Sequence, residues 1–179
     1  MQVRGKTLTA GDLERLVGHW LETLSTDETI VVVNDRLDVA LATGAAGVHV
    51  GRDDLPLGEV HRLGGADLVV GVSAHDGAEL LEAQESGATY AGLGAFYASR
   101  TKPDAILLDV ETAGLRDPLP ALAIPVVAIG GITAERVGDV LRVPAVSGIA
   151  VSEAIQGSDD PARAVARLRS ALVRAWRDR

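Results

Sequence analysis

Short runs of β-branched residues alternate along this chain with longer stretches in which apolar residues return every three or four positions. The strand pattern falls on QVR at the start, TIVVV (29–33), GVHV (47–50), DLVVGV (67–72), TYAGLG (89–94), PVVAIG (125–130) and SGIAV (147–151). Between them, residues 10–24 place Leu13, Leu16, Val17, Trp20, Leu21 and Leu24 on one helical stripe. Residues 76–86 form a second helix with Asp76 as its N-cap, and TAERVGDVLR forms a third behind Thr133. The tail opens with Pro161 after two aspartates and stays apolar at helical spacing. No linker, repeat or charge block interrupts the alternation, so residues 1–179 are read as one domain.

Strands that alternate with helices predict a parallel sheet, either open and doubly wound or closed into a barrel. Polar residues decide between the two. Asn34 and Asp35 follow one strand, Gly51 to Asp54 the next, Ser73 the next, and the cluster SRTK a fourth. Sites fed by that many consecutive strand ends suit the rim of a (β/α)8 barrel. Seven strands are legible, however, and such a barrel needs eight.

Composition fits this picture and narrows the partners. Apolar residues make up 47% of the chain and aromatics 3%, so its core is built from Val, Leu, Ile and Ala. A net charge of −8 argues against nucleic acid or an anionic membrane as partner. With no cysteine, disulfides and thiolate metal sites are excluded. The first residues lack the apolar run of a signal peptide, and a cytoplasmic protein is expected.

The chemistry-bearing residues lie at the strand ends. Asp35 either caps the helix that follows it or serves a site, and Asp53 and Asp54 in HVGRDDLPL present the same choice. Carboxylates on adjacent strand ends would lie close together and form a hard-oxygen site suited to Mg²⁺. Arg4 and Lys6 alternate in QVRGK and are expected to point to one side of the first strand. Lys102 follows the fifth strand, Gly130–Gly131 the sixth, and Ser152 the last. Glycine amides ahead of a helix offer a phosphate position. His49 reads as a hydrogen-bonded interior residue and His75 as the start of a helix.

Taken in order, these segments resemble the thiamine phosphate synthase family, which includes the TenI-type thiazole tautomerases. QVRGK is similar to its Gln-x-Arg-x-Lys strand, which implies pyrimidine and pyrophosphate roles for Gln2, Arg4 and Lys6. VNDRLDVAL implies a ligand role for Asn34 and a Mg²⁺ role for Asp35. GVHVGRDDLP makes Asp54 the second metal ligand and His49 a pocket residue. GVSAH places Ser73 at the pyrimidine. SRTK implies thiazole phosphate roles for Ser99 and Thr101 and a pyrophosphate role for Lys102, and Gly131, Val151 and Ser152 share the thiazole phosphate. The resemblance implies a transferase that joins hydroxymethylpyrimidine pyrophosphate to thiazole phosphate. The alternatives are a thiazole tautomerase using His75, or a non-catalytic relative that binds phosphates. Family members carry a further strand and helix before Gln-x-Arg-x-Lys, which corresponds to the eighth strand. A seam left by that unit, and the family's habit, predict a homo-oligomer.

Overall fold

A computed structural model describes residues 1–24 and 28–178, so Ser25 to Asp27 and Arg179 lie outside the description. The chain packs as two compact units, residues 1–73 with 86–90, and residues 74–85 with 91–179.

The first unit contains β1 (Gln2–Val3), α1 (Ala10–Thr23), β2 (Val32–Asn34), α2 (Leu37–Thr43), β3 (Gly47–Val50), α3 (Leu57–Gly64) and β4 (Val69–Ala74), whose last residue passes to the second unit. Each strand pairs in parallel with the next, in the registers Val3 with Val33, Val33 with Val48, and Val48 with Val70. Thr9 starts α1 by accepting a hydrogen bond from the Asp12 amide at 3.2 Å. Leu13 and Val17 of the expected stripe are buried, and Leu16, Trp20, Leu21 and Leu24 pack beside them. All four residues of β3 are buried, as an interior parallel strand requires.

The second unit holds α4 (Gly77–Glu85), β5 (Tyr90–Leu93, its first residue in the first unit), β6 (Val126–Ala128), α5 (Val137–Leu141), β7 (Gly148–Ile149), α6 (Glu153–Gln156) and α7 (Pro161–Arg177). Here too β5, β6 and β7 pair in parallel in chain order. Asp76 caps α4 through the Glu79 amide at 2.7 Å, and Asp160 caps α7 through the Arg163 amide at 3.0 Å. Leu80, Leu93, Leu115, Val126, Leu141 and Leu168 form the core.

All seven expected strands are present: β3 keeps its expected bounds, β2 and β4 begin later and end one and two residues later, and the other four are shorter than expected. Two sequence expectations change. The helix behind Thr133 begins at Val137, because residues 133–136 close a turn in which the Arg136 amide donates to the Thr133 carbonyl at 3.0 Å. The connection from β5 to β6 contains no helix. Pro103, Pro118 and Pro120 fall along it, and each lacks the amide donor a helix needs.

Candidate active site

In the first unit, β1 stops at Val3, so Arg4 and Lys6 do not alternate along a strand as expected. Gly5 turns the chain. A side chain there would lie 2.6 Å from Leu8, whose amide closes the turn on the Gly5 carbonyl at 3.1 Å. Both cations therefore project beyond the strand end, and Lys6 Nζ comes within 3.5 Å of Asp35 Oδ2.

Asp35 follows Asn34, the last residue of β2. Its amide donates to the His49 carbonyl at 2.8 Å, and the Arg36 amide donates back to the Asn34 carbonyl at 2.8 Å. The second bond closes a three-residue turn around Asp35, whose φ is 64°. Arg36, rather than Asp35, precedes α2, and its side chain makes no cap. The capping alternative therefore fails for Asp35. Asp54 accepts from the Gly51 amide at 2.7 Å, Asp53 is exposed, and the residue flanking α3 is Pro56.

The Asp35 and Asp54 carboxyl groups are hydrogen-bonding neighbours. Burial, then the adjacent Asp54, pushes the Asp35 carboxyl above the usual carboxylate range, and Lys6 partly opposes the shift. Two crowded oxygen donors with a flanking ammonium fit a hard divalent cation such as Mg²⁺, which takes few carboxylates and fills its shell with water and phosphate. Among the described residues no third His, Asp or Glu completes a larger cage.

Beside this pair runs a buried polar chain. His49 Nδ1 lies 3.0 Å from Tyr90 Oη, and His49 Nε2 lies 3.1 Å from Ser73 Oγ. Gln2 hydrogen-bonds to the same phenol, and burial raises the Tyr90 pKa. Burial lowers the His49 pKa to about 4, with Asp54 opposing, so the imidazole is neutral. Gly71, opposite His49 in the β3–β4 register, makes room for the tyrosine. A Cβ there would lie 2.2 Å from Tyr90 Cζ. The sequence reading named Gln2, His49 and Ser73 but missed Tyr90 and Gly71. A glycine inside a strand pattern was the available signal.

In the second unit, Ser99, Thr101 and Lys102 lie in an exposed loop, where Ser99 Oγ accepts from the Lys102 amide at 3.4 Å. Arg100 ties this loop to α6. Its amide donates to Glu153 Oε2 at 3.0 Å, and its guanidinium pairs with the same carboxylate. Gly130 and Gly131 have φ of 94° and 58°. A side chain on Gly131 would meet the Ala98 carbonyl at 2.4 Å, so these glycines admit the chain's own loop. α5 starts six residues beyond Gly131, and no helix terminus stands directly behind the pair. Val151 is half-buried, and Ser152 precedes α6 with its hydroxyl donating to Gln156 at 3.2 Å. His75 begins no helix. Its ring lies 3.0 Å from the Glu79 carboxylate.

Parallel strands paired in chain order, with polar groups collected beyond their ends, define an α/β protein of TIM-barrel-like type. A solved thiamine phosphate pyrophosphorylase from Pyrococcus furiosus superposes with a TM-score of 0.84 at 34% identity, covering 97% of this chain and 82% of that one. A sequence model described as thiamine monophosphate synthase matches residues 1–155, and the chain belongs to that family. Among curated relatives, the thiamine-phosphate synthase of Chlorobium phaeovibrioides is 42% identical over 161 residues, 90% of this chain and 76% of its own length. That of Caldanaerobacter subterraneus subsp. tengcongensis is 37% identical over all 179 residues, 82% of its length.

Proposed function

We propose that the chain is a thiamine-phosphate synthase: it joins hydroxymethylpyrimidine pyrophosphate to thiazole phosphate and releases pyrophosphate and thiamine phosphate. The observation that carries the reading is the Asp35–Asp54 carboxylate pair, with Lys6 at 3.5 Å, beside the Gln2–Tyr90–His49–Ser73 chain. In the reaction the methylene C–O bond to pyrophosphate breaks and a bond from the same carbon to the thiazole nitrogen forms.

Asp35 and Asp54 would hold Mg²⁺, which supplies charge neutralisation for the departing pyrophosphate. Arg4, Lys6 and Lys102 serve the same anion, and Lys6 exchanges Asp35 for it when substrate binds. Gln2, Asn34, His49 and Ser73 bind the pyrimidine. The neutral His49 can accept from one neighbour and donate to the other, which fixes the direction of the Ser73 hydroxyl. Ser99, Thr101, Gly131, Val151 and Ser152 hold the thiazole phosphate and so set the approach of its nitrogen. No protein nucleophile is required.

A tautomerase using His75 is the competing reading, and the second carboxylate, Asp54, favours the synthase. We read the seven strands as seven of a barrel's eight, the family's first βα unit not being among these 179 residues. Self-association and a cytoplasmic location complete the proposal, and no helix among the described residues is long and apolar enough to cross a membrane.

The test is a coupled assay for pyrophosphate and thiamine phosphate, run on the purified chain and on Asp35→Asn and Asp54→Asn with Mg²⁺ titrated. Each variant should lose at least tenfold in kcat/KM and raise the Mg²⁺ requirement. Product formation that is absent in the wild type, or unchanged in both variants, refutes the reading.

A further inference from the structure

Helix α7 carries Arg163, Arg167, Arg169, Arg174 and Arg177 and no acidic residue, in a chain of net charge −8. Five arginines elsewhere are neutralised by an acid within five residues: Arg15 by Asp12, Arg36 by Asp38, Arg62 by Glu59, Arg116 by Glu111 and Arg142 by Asp139. On α7 the pattern changes. Arg167 pairs with Glu135 at 2.6 Å, whereas Arg163 and Arg174 have no ion-pair partner among the described residues.

These cations share a face. Positions 163, 167, 170 and 174 are spaced four, three and four apart and so lie along one side of the helix. Leu168 and Ala171, on another side, are buried in the core. The arginine face borders a cleft of about 330 Å³ lined by Ala134, Glu135, Arg163, Arg167, Ser170 and Arg174, with Ala166 between the arginines. Alanine at 134 and 166 keeps the floor low, and the Ser170 hydroxyl adds a donor to those of the guanidinium forks. The cleft's own charge is three positive against one negative, the reverse of the chain's balance.

The geometry points to a binding site for a polyphosphate in this cleft, a site independent of the reaction proposed above. Arginine forks match phosphate oxygens two at a time. Arg163 and Arg174 lie eleven helical steps apart, a span of about 16.5 Å at 1.5 Å per residue. One phosphate cannot reach both, whereas a triphosphate chain with or without a nucleoside engages several forks. On binding, the phosphates would compete with Glu135 for Arg167. An inorganic tripolyphosphate and a nucleoside triphosphate present the same recognised group.

Calorimetry without divalent cations separates this site from the strand-end site, which also faces phosphate. Inorganic tripolyphosphate and ATP are each titrated into the wild type, Lys6→Ala, Arg163→Glu/Arg174→Glu and Arg163→Gln/Arg174→Gln. The expected result is binding that weakens with salt, survives in Lys6→Ala, and falls at least tenfold in both arginine variants. Their thiamine phosphate formation without added polyphosphate should stay at the wild-type rate. Equal affinity for the two probes assigns recognition to the phosphates alone, and tighter ATP adds the nucleoside. Should the charge-reversed variant fail to fold, the glutamine variant decides. Wild type that binds neither probe, or arginine variants that bind as tightly as wild type, overturns the site.

Discussion

Replacing Gly71 with alanine tests the packing beneath the polar chain. The new Cβ would lie 2.2 Å from Tyr90 Cζ and 2.4 Å from Oη, against an ordinary contact of 3.4–4 Å. The ring must therefore retreat by about 1.2 Å, since 3.4 − 2.2 = 1.2. The Tyr90–His49 bond, now 3.0 Å, cannot survive a shift of that size. Overpacking of this kind costs about 1–3 kcal/mol. The lost bond to a buried imidazole adds roughly 1 kcal/mol. Alanine regains about 0.5–1 kcal/mol over glycine in a strand. The net expectation is a loss of about 1–3.5 kcal/mol, read by urea unfolding at 25 °C as a lower midpoint with an unchanged slope. Tyr90→Leu removes the obstructing ring. In that background Gly71→Ala should cost under about 0.5 kcal/mol, giving a coupling energy near 2 kcal/mol in the double-mutant cycle. Equal costs in the two backgrounds would refute the argument, because the clash with Tyr90 would then not be the cause.

Two further outcomes follow from the site. With its pKa lowered to about 4, His49 contributes stability that is present above pH 6.5 and lost as pH falls from 6.5 towards 4, roughly 3 kcal/mol in all. A urea series across that window should show the loss in the wild type and a flatter profile in His49→Gln. Residues 97–105, held by the Arg100–Glu153 tie and by the Tyr97 amide on the Gly130 carbonyl, should gain hydrogen-exchange protection when both substrates are present. Equal exchange with and without substrates would leave the loop outside the binding event.

The strands were legible because each is a compact β-branched run bounded by turn residues, and the carboxylate pair because both members sit just past such runs. What escaped has physical reasons. A helix is expected to follow Asp35, but α2 is seven residues long and starts without a side-chain cap, so neither periodicity nor a start signal fixes its bounds. Tyr90 reads as an ordinary strand aromatic until Gly71, nineteen residues earlier, is known to lie against its ring. The Arg100–Glu153 pair joins residues 53 apart, beyond any local pattern. The alternation assigned to Arg4 and Lys6 presumed a strand that Gly5 ends.

The left-handed backbone at Asp35 separates selection for folding from selection for chemistry at a single codon. At a φ of 64°, glycine is free of strain, and asparagine and aspartate bear it better than other side chains. Alanine there removes the carboxylate and also leaves a backbone that fits its Cβ poorly, so an alanine scan would merge two different losses. In a saturation library sorted for folded protein alone, position 35 should enrich glycine and asparagine. Sorted for growth that depends on the chain's activity, it should return aspartate. Evolutionary drift towards a binding-only relative would leave the same trace, with the turn kept by Asn or Gly after the acid is gone.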